Sequence, residues 1–404
     1  MGLKLRTDLE IQPFFYEGEK ALLVSDRLGL LKNPVVLRGL GIEILSLLDG
    51  QRDERDLQLE LLRRRGYSLE GAELIKELLG QIKRLGLLDD EEFRRKKAAL
   101  VEEFTRNPVR EATLAGEAYP AEPEELRKFL SEILSESILP PEVEEQLEQN
   151  QPLKALVAPH IDLKVGRRVY SLAYRSVRSK DYRRVIVLGT GHQLESGVLS
   201  VSEKDFRTPL GLVSNDREVS ARLKRAAGDL VEPDDFGHRS EHSVEFQLIF
   251  LQHLLGNDFR LVPVLCSSFH IWHETASRPA EIPGLRPFLE ELKNLASDSH
   301  TLFVAGVDLS HIGVKFGHPR PASQMKEETV GFDHDLIEAM RAADPVEFWR
   351  YARPAGETYN VCGFSALAIL LEVFAGHKTV FLGYDLAEEK ATQSAVSFAA
   401  LAVY

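Results

Sequence analysis

The chain contains only two cysteines, Cys266 and Cys362. Two are too few for a disulfide framework and read as free thiols in a reducing compartment. Long apolar runs are also missing: none approaches the roughly 20 residues that span a bilayer. The first 20 residues alternate charge with apolar side chains instead of forming a signal-peptide core. A cytoplasmic protein with no membrane partner is therefore expected. Basic stripes are confined to short runs at 63–65 and 94–97, which disfavours general nucleic-acid binding. There is no internal repeat and no low-complexity segment.

What is present is ordinary globular chain. With 404 residues, 44% of them hydrophobic and 28% charged, the sequence can bury the cores of two or three domains at roughly 150 residues each. The net charge of -13 is uneven. Residues 1–100 carry 18 basic and 18 acidic side chains, 101–150 carry 4 and 13, and 151–404 carry 28 and 32. The acidity sits mostly in the middle.

Three textures follow one another. Residues 1–90 hold two β-like runs, at 11–16 and 21–24, then helical segments near 40–48, 55–64 and 72–85. The last of these puts Leu74, Leu78, Leu79 and Ile82 on one face. The run 41–50 and the segment Gly86-Leu87-Leu88-Asp89-Asp90 resemble small winged-helix domains of the peptide-recognition (PqqD-like) type, which implies a peptide partner. A plain helical cap fits the same residues. Residues 91–150 are charged and helical, broken by Pro108, Pro120, Pro123, Pro140 and Pro141, and read as a helical connector packed on the next domain. From 151 to 404 short β-branched runs at 153–158, 185–188, 259–266, 301–307 and 379–384 alternate with amphipathic helices such as 166–177 and 241–255, and the chain closes on another run at 395–403. Continuous apolar strands between helices predict an α/β domain, its sheet covered on both faces.

Polar residues interrupt this pattern just past the strand ends, where ligands bind in open α/β sheets. One strand ends in Pro159-His160-Ile161-Asp162 and another in Gly189-Thr190-Gly191-His192. A third ends in Asp308-Leu309-Ser310-His311, and Cys362-Gly363 opens an apolar helix. A lone histidine in such a place is more often a hydrogen-bonded structural group. Three change the odds, because two imidazoles and a thiolate are good donors to iron, copper and zinc and leave coordination positions open. A helix N-terminus further favours the thiolate. Asp308 and His311 then suit roles as acid and base or as partners of the ligands.

The motifs Pro159-His160, Leu188 to His192, Thr208-Pro209-Leu210-Gly211, Glu241-His242-Ser243-Val244-Glu245-Phe246-Gln247, Val262-Pro263-Val264-Leu265, Asp308 to His311, Val361-Cys362-Gly363 and Ala395-Val396-Ser397-Phe398 resemble, in order, those of the Memo family. That family includes protein B of the AmmeMemoRadiSam system. The resemblance implies a fold like the class III extradiol dioxygenases and metal ligands at His160, His192 and Cys362. It also implies site roles for Asp308 and His311, with His242 lining the cleft. It further implies an iron or copper cofactor, with zinc compatible, and a radical SAM protein and an Amme-type protein as partners. The function expected is redox or oxygen-dependent chemistry; a metal-stabilised scaffold or peptide-binding adaptor is the alternative. A cysteine ligand in place of the dioxygenase carboxylate means that ring cleavage does not carry over. Asp162, where the family has a glycine, is expected to alter charge or metal preference at the site.

Other patterns compete. His238-Arg239-Ser240-Glu241-His242 fits the inverted zinc-peptidase motif, but Ser240 is a natural N-cap for a helix from Glu241, which would leave His238 outside the helix. Cys266 reads as a buried small hydrophobe. Asp333-His334-Asp335 reads as the acidic start of a helix. His253, His270, His273, His300, His318, His334 and His377 have no spacing that selects them.

Overall fold

The computed structural model describes residues 2–16, 18–65, 69–149 and 152–404. It forms two compact units, Met1–Phe104 with Lys390–Gln393 and Thr105–Glu389 with Ser394–Tyr404. The division at Phe104/Thr105 falls inside the predicted 91–150 connector. The predicted boundary at 150/151 lies outside the described residues.

In the first unit β1 (Leu9–Tyr16), β2 (Glu19–Asp26) and β3 (Val35–Arg38) form an antiparallel sheet in that order. The helices are α1 (Leu40–Leu47), α2 (Glu54–Arg65), α3 (Leu69–Arg84) and α4 (Glu91–Arg106). Strand β3 was not anticipated, because four residues are too few to show an alternation. Ile44, Leu57, Leu61, Ile75, Leu79 and Ile82 build the core. The buried stripe of α3 is therefore turned from the one predicted: Ile75 is inside and Leu74 is 49% exposed. Arg6, itself buried, pairs with Asp8 and Asp26, and Asp26 accepts the backbone N–H groups of Leu28, Leu30 and Leu31, ordering the loop after β2.

The second unit is an eight-stranded mixed sheet flanked by helices. Its elements are β4 (Val109–Arg110), α5 (Pro123–Leu134), α6 (Pro141–Glu148), β5 (Ala155–Ala158), α7 (Arg167–Arg175), β6 (Arg184–Thr190), β7 (Leu199–Val201), β8 (Asp205–Thr208), β9 (Gly211–Val213), α8 (Arg217–Ala227), α9 (His242–Leu255), β10 (Arg260–Cys266), α10 (Arg286–Ala296), β11 (Thr301–Gly306), β12 (His311–Gly313), α11 (Lys326–Arg341), α12 (Pro345–Trp349), α13 (Ala352–Glu357), α14 (Phe364–Val373), β13 (Thr379–Glu389) and β14 (Ser394–Val403). The order is β12-β14-β5-β11-β6-β10-β7, with β13 also on β14, and β4-β8-β9 make a small second sheet. Strands β5, β11, β6 and β10 run parallel, so their carboxyl ends share one edge. Strand residues alternate between two cores. Ala155, Val157, Ile186, Leu188, Val262 and Val264 pack with α8, α10 and α14. Leu156, Ala158, Val185, Val187, Leu261 and Leu265 pack with α5, α7 and α9. Two faces buried by helices explain the continuous apolar runs in the sequence.

Two local readings need correction. The N-cap of α9 is Glu241, not Ser240, and accepts from Ser243 N. Asp333-His334-Asp335 lies in the middle of α11, and Asp333 is buried, accepting hydrogen bonds from Ser310 Oγ at 2.6 Å and Tyr384 OH at 2.8 Å. A buried partner network, not the helix dipole, explains that acid.

The segment around β4 is held to α9 by charge. Arg110 and Glu245 are both buried and form an ion pair, and Arg110 also donates to the carbonyls of His238 and Glu241. Glu245 further accepts from Tyr119 OH at 2.5 Å and from Thr113 and Leu114 N. Removing one partner leaves a buried charge uncompensated. Arg110→Ala is expected to lower unfolding stability by about 3–5 kcal/mol in urea titration; a loss below about 1 kcal/mol would contradict this reading of the network.

Candidate metal centre

At the shared edge of β5, β6 and β11, backbone geometry aims three side chains at one point. His160 follows β5, His192 follows β6, and Cys362 precedes α14 at its N-terminal end. His160 Nε2 lies 3.4 Å from Cys362 Sγ. The His160 and His192 rings are 5.2 Å apart between centroids. One donor atom from each of His160, His192 and Cys362 lies within 4.8 Å of the others.

Each imidazole is held by its other nitrogen. His160 Nδ1 donates to the Gly306 carbonyl at 2.9 Å, which leaves Nε2 on the Cys362 side. His192 Nδ1 lies 3.0 and 3.2 Å from the two Glu241 oxygens, and His192 N donates to the same carboxylate. Glu241 is buried yet its carboxyl stands well below the usual range, because His192 and then His242 outweigh the cost of burial. This is the carboxylate–histidine arrangement that fixes tautomer and ring direction at metal sites. Glu241 was not singled out as a site residue from sequence; its place one residue before His242 and its capping chemistry were the available signals.

The electrostatics favour a thiolate. Burial opposes ionisation of Cys362, but His160, His311 and the hydrogen bonds from both histidines hold it well below the ordinary thiol value. In return, and against the effect of burial, Asp308 and Cys362 raise His160 to about 9, and Glu241 and Cys362 raise His192 to about 10. Burial pushes Asp308 up, against the pull of His160. Asp308 Oδ1 accepts from His160 N at 2.9 Å and Ile161 N at 3.2 Å, and its Oδ2 is 3.6 Å from His160 Nε2. His311 lies at the rim, its Nδ1 on the Leu309 carbonyl and its ring edge-on to Phe316. His242 stacks on His192, centroids 5.3 Å apart, and crosses His160 at 5.0 Å. His160, His192, Cys362, Asp308 and His242 thus touch one another here, and His311 lies near enough for its charge to act on Asp308 and Cys362.

The donor set fits a metal ion. Ligands at about 2.0–2.3 Å in a tetrahedral shell sit roughly 3.3–3.8 Å apart, and the His160–Cys362 separation falls in that range. Binding would displace the protons now shared between imidazoles and thiolate. His192, Glu241 and His242 form a second group of close donors. His238 belongs to neither: it sits in a short 3-10 turn, its ring edge-on to Phe206, and burial holds it down at about 4. The helical face that an inverted zinc-peptidase motif needs does not form. Asp162 is also outside; it is exposed and its carboxylate accepts from Lys164 N and Val165 N, so it shapes a turn and not the site. Cys266 is buried, and burial raises its thiol.

The family model for Memo-like proteins matches residues 110–402. The chain belongs to the Memo-like family. Among its relatives is a MEMO1 family protein of Aquifex aeolicus, 27% identical over 98% of both chains, so the first unit is shared with that relative too. MEMO1 family proteins of Methanopyrus kandleri (32% identical, 64% of this chain and 84% of the relative) and Methanosarcina barkeri (29%, 65% and 86%) match a shorter part. No helix among the described residues of this Memo-like chain is long and apolar enough to cross a membrane.

If Glu241 sets the direction of His192, Glu241→Gln removes the charge while keeping the cap. Zinc affinity, measured by competition with a chromogenic chelator, is expected to fall about 10- to 100-fold with the fold retained. An unchanged affinity would show that His192 is oriented without it.

Proposed function

We propose that this Memo-like chain binds a redox metal at His160, His192 and Cys362 and performs oxygen-dependent or redox chemistry on a small or peptide-borne substrate. The observation that carries the reading is the convergence of two imidazole Nε2 atoms and a thiolate, each imidazole fixed through Nδ1. Thiolate and imidazole together suit iron or copper, and zinc as a structural substitute. Such a metal, when bound, supplies open coordination positions and electron transfer. The chain's own residues do the rest. Asp308, held by two backbone N–H groups, is placed to accept or return a proton beside His160 Nε2. His311, with Nδ1 occupied by a carbonyl and its charge acting on Asp308 and Cys362, would serve through Nε2 as the general acid or base. His242 stacks on His192 and crosses His160. A fold like the class III extradiol dioxygenases is part of this reading, with Cys362 where those enzymes use a carboxylate.

A second reading rests on the first unit, which has its own core of α1–α3 packed on a three-stranded sheet. A winged-helix-like unit of this kind suits peptide or protein recognition, making the chain an adaptor within a set that includes a radical SAM protein and an Amme-type protein.

Metal analysis and oxygen uptake separate the two readings. After anaerobic reconstitution, wild type is expected to hold near-stoichiometric iron or copper, and Cys362→Ala and His160→Ala to hold almost none. The His311→Ala variant should keep its metal while oxygen uptake in the presence of ascorbate falls about 100-fold or more. Metal indifferent to Cys362 and His160 would overturn the ligand set; uptake indifferent to His311 would favour the adaptor.

A further inference from the structure

A cleft of about 270 Å³ opens beside Cys362 and His192, walled by the loop after β10 and by the turn between α13 and α14. Among the described residues it is lined by no Phe, Tyr or Trp, no lysine or arginine and no carboxylate. Flat aromatic rings bind slots with apolar or aromatic walls, so this composition excludes them as the natural fit.

Three polar atoms in the cleft are unused by the protein. Ser267 donates its backbone N–H to Val198, but its Oγ has no partner among the described residues. Asn360 spends its Nδ2 on the carbonyls of His311 and Phe316, which leaves Oδ1 free as an acceptor. His270 Nδ1 meets Ser268 Oγ, and its Nε2, which has no partner among the described residues, is a donor when that hydroxyl donates and an acceptor when the ring does. The ring is also fixed in place: a Cβ on Gly356 would lie 2.6 Å from His270 Cβ, so only glycine lets α13 approach so closely. A hydroxyl, an imidazole nitrogen and an amide oxygen are therefore left over on residues that line a pocket too small for a large ligand.

We propose that this cleft binds a small neutral amide, whose carbonyl accepts from Ser267 Oγ and His270 Nε2 and whose N–H donates to Asn360 Oδ1. The inference rests on the metal-centre reading for its purpose, since the cleft would present the amide-bearing group to Cys362 and His192, but not for its test. An amide is the class that offers an acceptor and a donor on one rigid, uncharged plane.

The test is an NMR titration of the full chain, metal-free and zinc-loaded, with N-acetylglycinamide, and with acetate and catechol as the charged and aromatic comparisons. The amide is expected to bind in both states and to outcompete the other two. Ser267→Ala and His270→Ala should each weaken it about three- to tenfold, the worth of one hydrogen bond, with His270→Gln restoring part of the loss. No amide binding, an affinity unchanged in both alanine variants, or tighter binding of catechol would overturn the proposal. Zinc content measured in parallel on Cys362→Ala keeps the two readings apart: amide binding that survives with zinc lost supports both, and zinc retained in that variant counts against the metal centre alone.

Discussion

Two hydrogen bonds on the far sides of two imidazoles organise the whole site: His160 Nδ1 to the Gly306 carbonyl, and His192 Nδ1 to Glu241. A histidine at a strand end can turn about two side-chain torsions, and only a second contact decides which nitrogen faces the cleft. Both second contacts come from elements already fixed by the cores. Gly306 ends the central strand β11, and Glu241 caps α9, whose buried face packs on the sheet. The close approach of α9 to β11 needs the glycine, since a Cβ at Gly306 would lie 2.5 Å from the Ser243 carbonyl. The geometry of these candidate ligands is thus inherited from packing several residues away.

Charge completes what packing begins. Four ionisable side chains, His160, His192, Glu241 and Cys362, are gathered where burial alone would penalise each of them. They are tolerable together because each cation faces an anion within hydrogen-bond reach. The same logic holds at Arg110 and Glu245, one turn further along α9, where a buried ion pair ties the segment around β4 to the helix that carries Glu241 and His242. Removing a member of either cluster strands its partner.

The sequence disclosed the parts of this arrangement that are local. Apolar runs at 185–188, 259–266 and 301–307 became β6, β10 and β11 with small boundary shifts, because strands buried on both faces have nothing to alternate with. His160, His192, Asp308 and His311 stood out because polar groups at the ends of such strands have no packing role, and Cys362 because it opens an apolar helix. What stayed hidden was long-range. Glu241 looked like a member of a local His-x-x-Glu-His pattern, and only the fold shows that its partner is His192, 49 residues earlier in the chain. Asp333 looked like a helix start until Ser310 and Tyr384 were found to donate to it. Strand β3 and the turned face of α3 were missed because neighbouring leucines and isoleucines do not reveal which of them faces inward.

The central claim is that one thiolate and two imidazoles hold a single metal ion. X-ray absorption at the metal edge of the zinc-loaded chain tests it most directly. The account predicts a first shell with one sulfur at about 2.3 Å and two imidazole nitrogens at about 2.0–2.1 Å, the sulfur vanishing in Cys362→Ser. A shell of oxygen and nitrogen alone in the wild-type chain, or a sulfur that persists in Cys362→Ser, would contradict it.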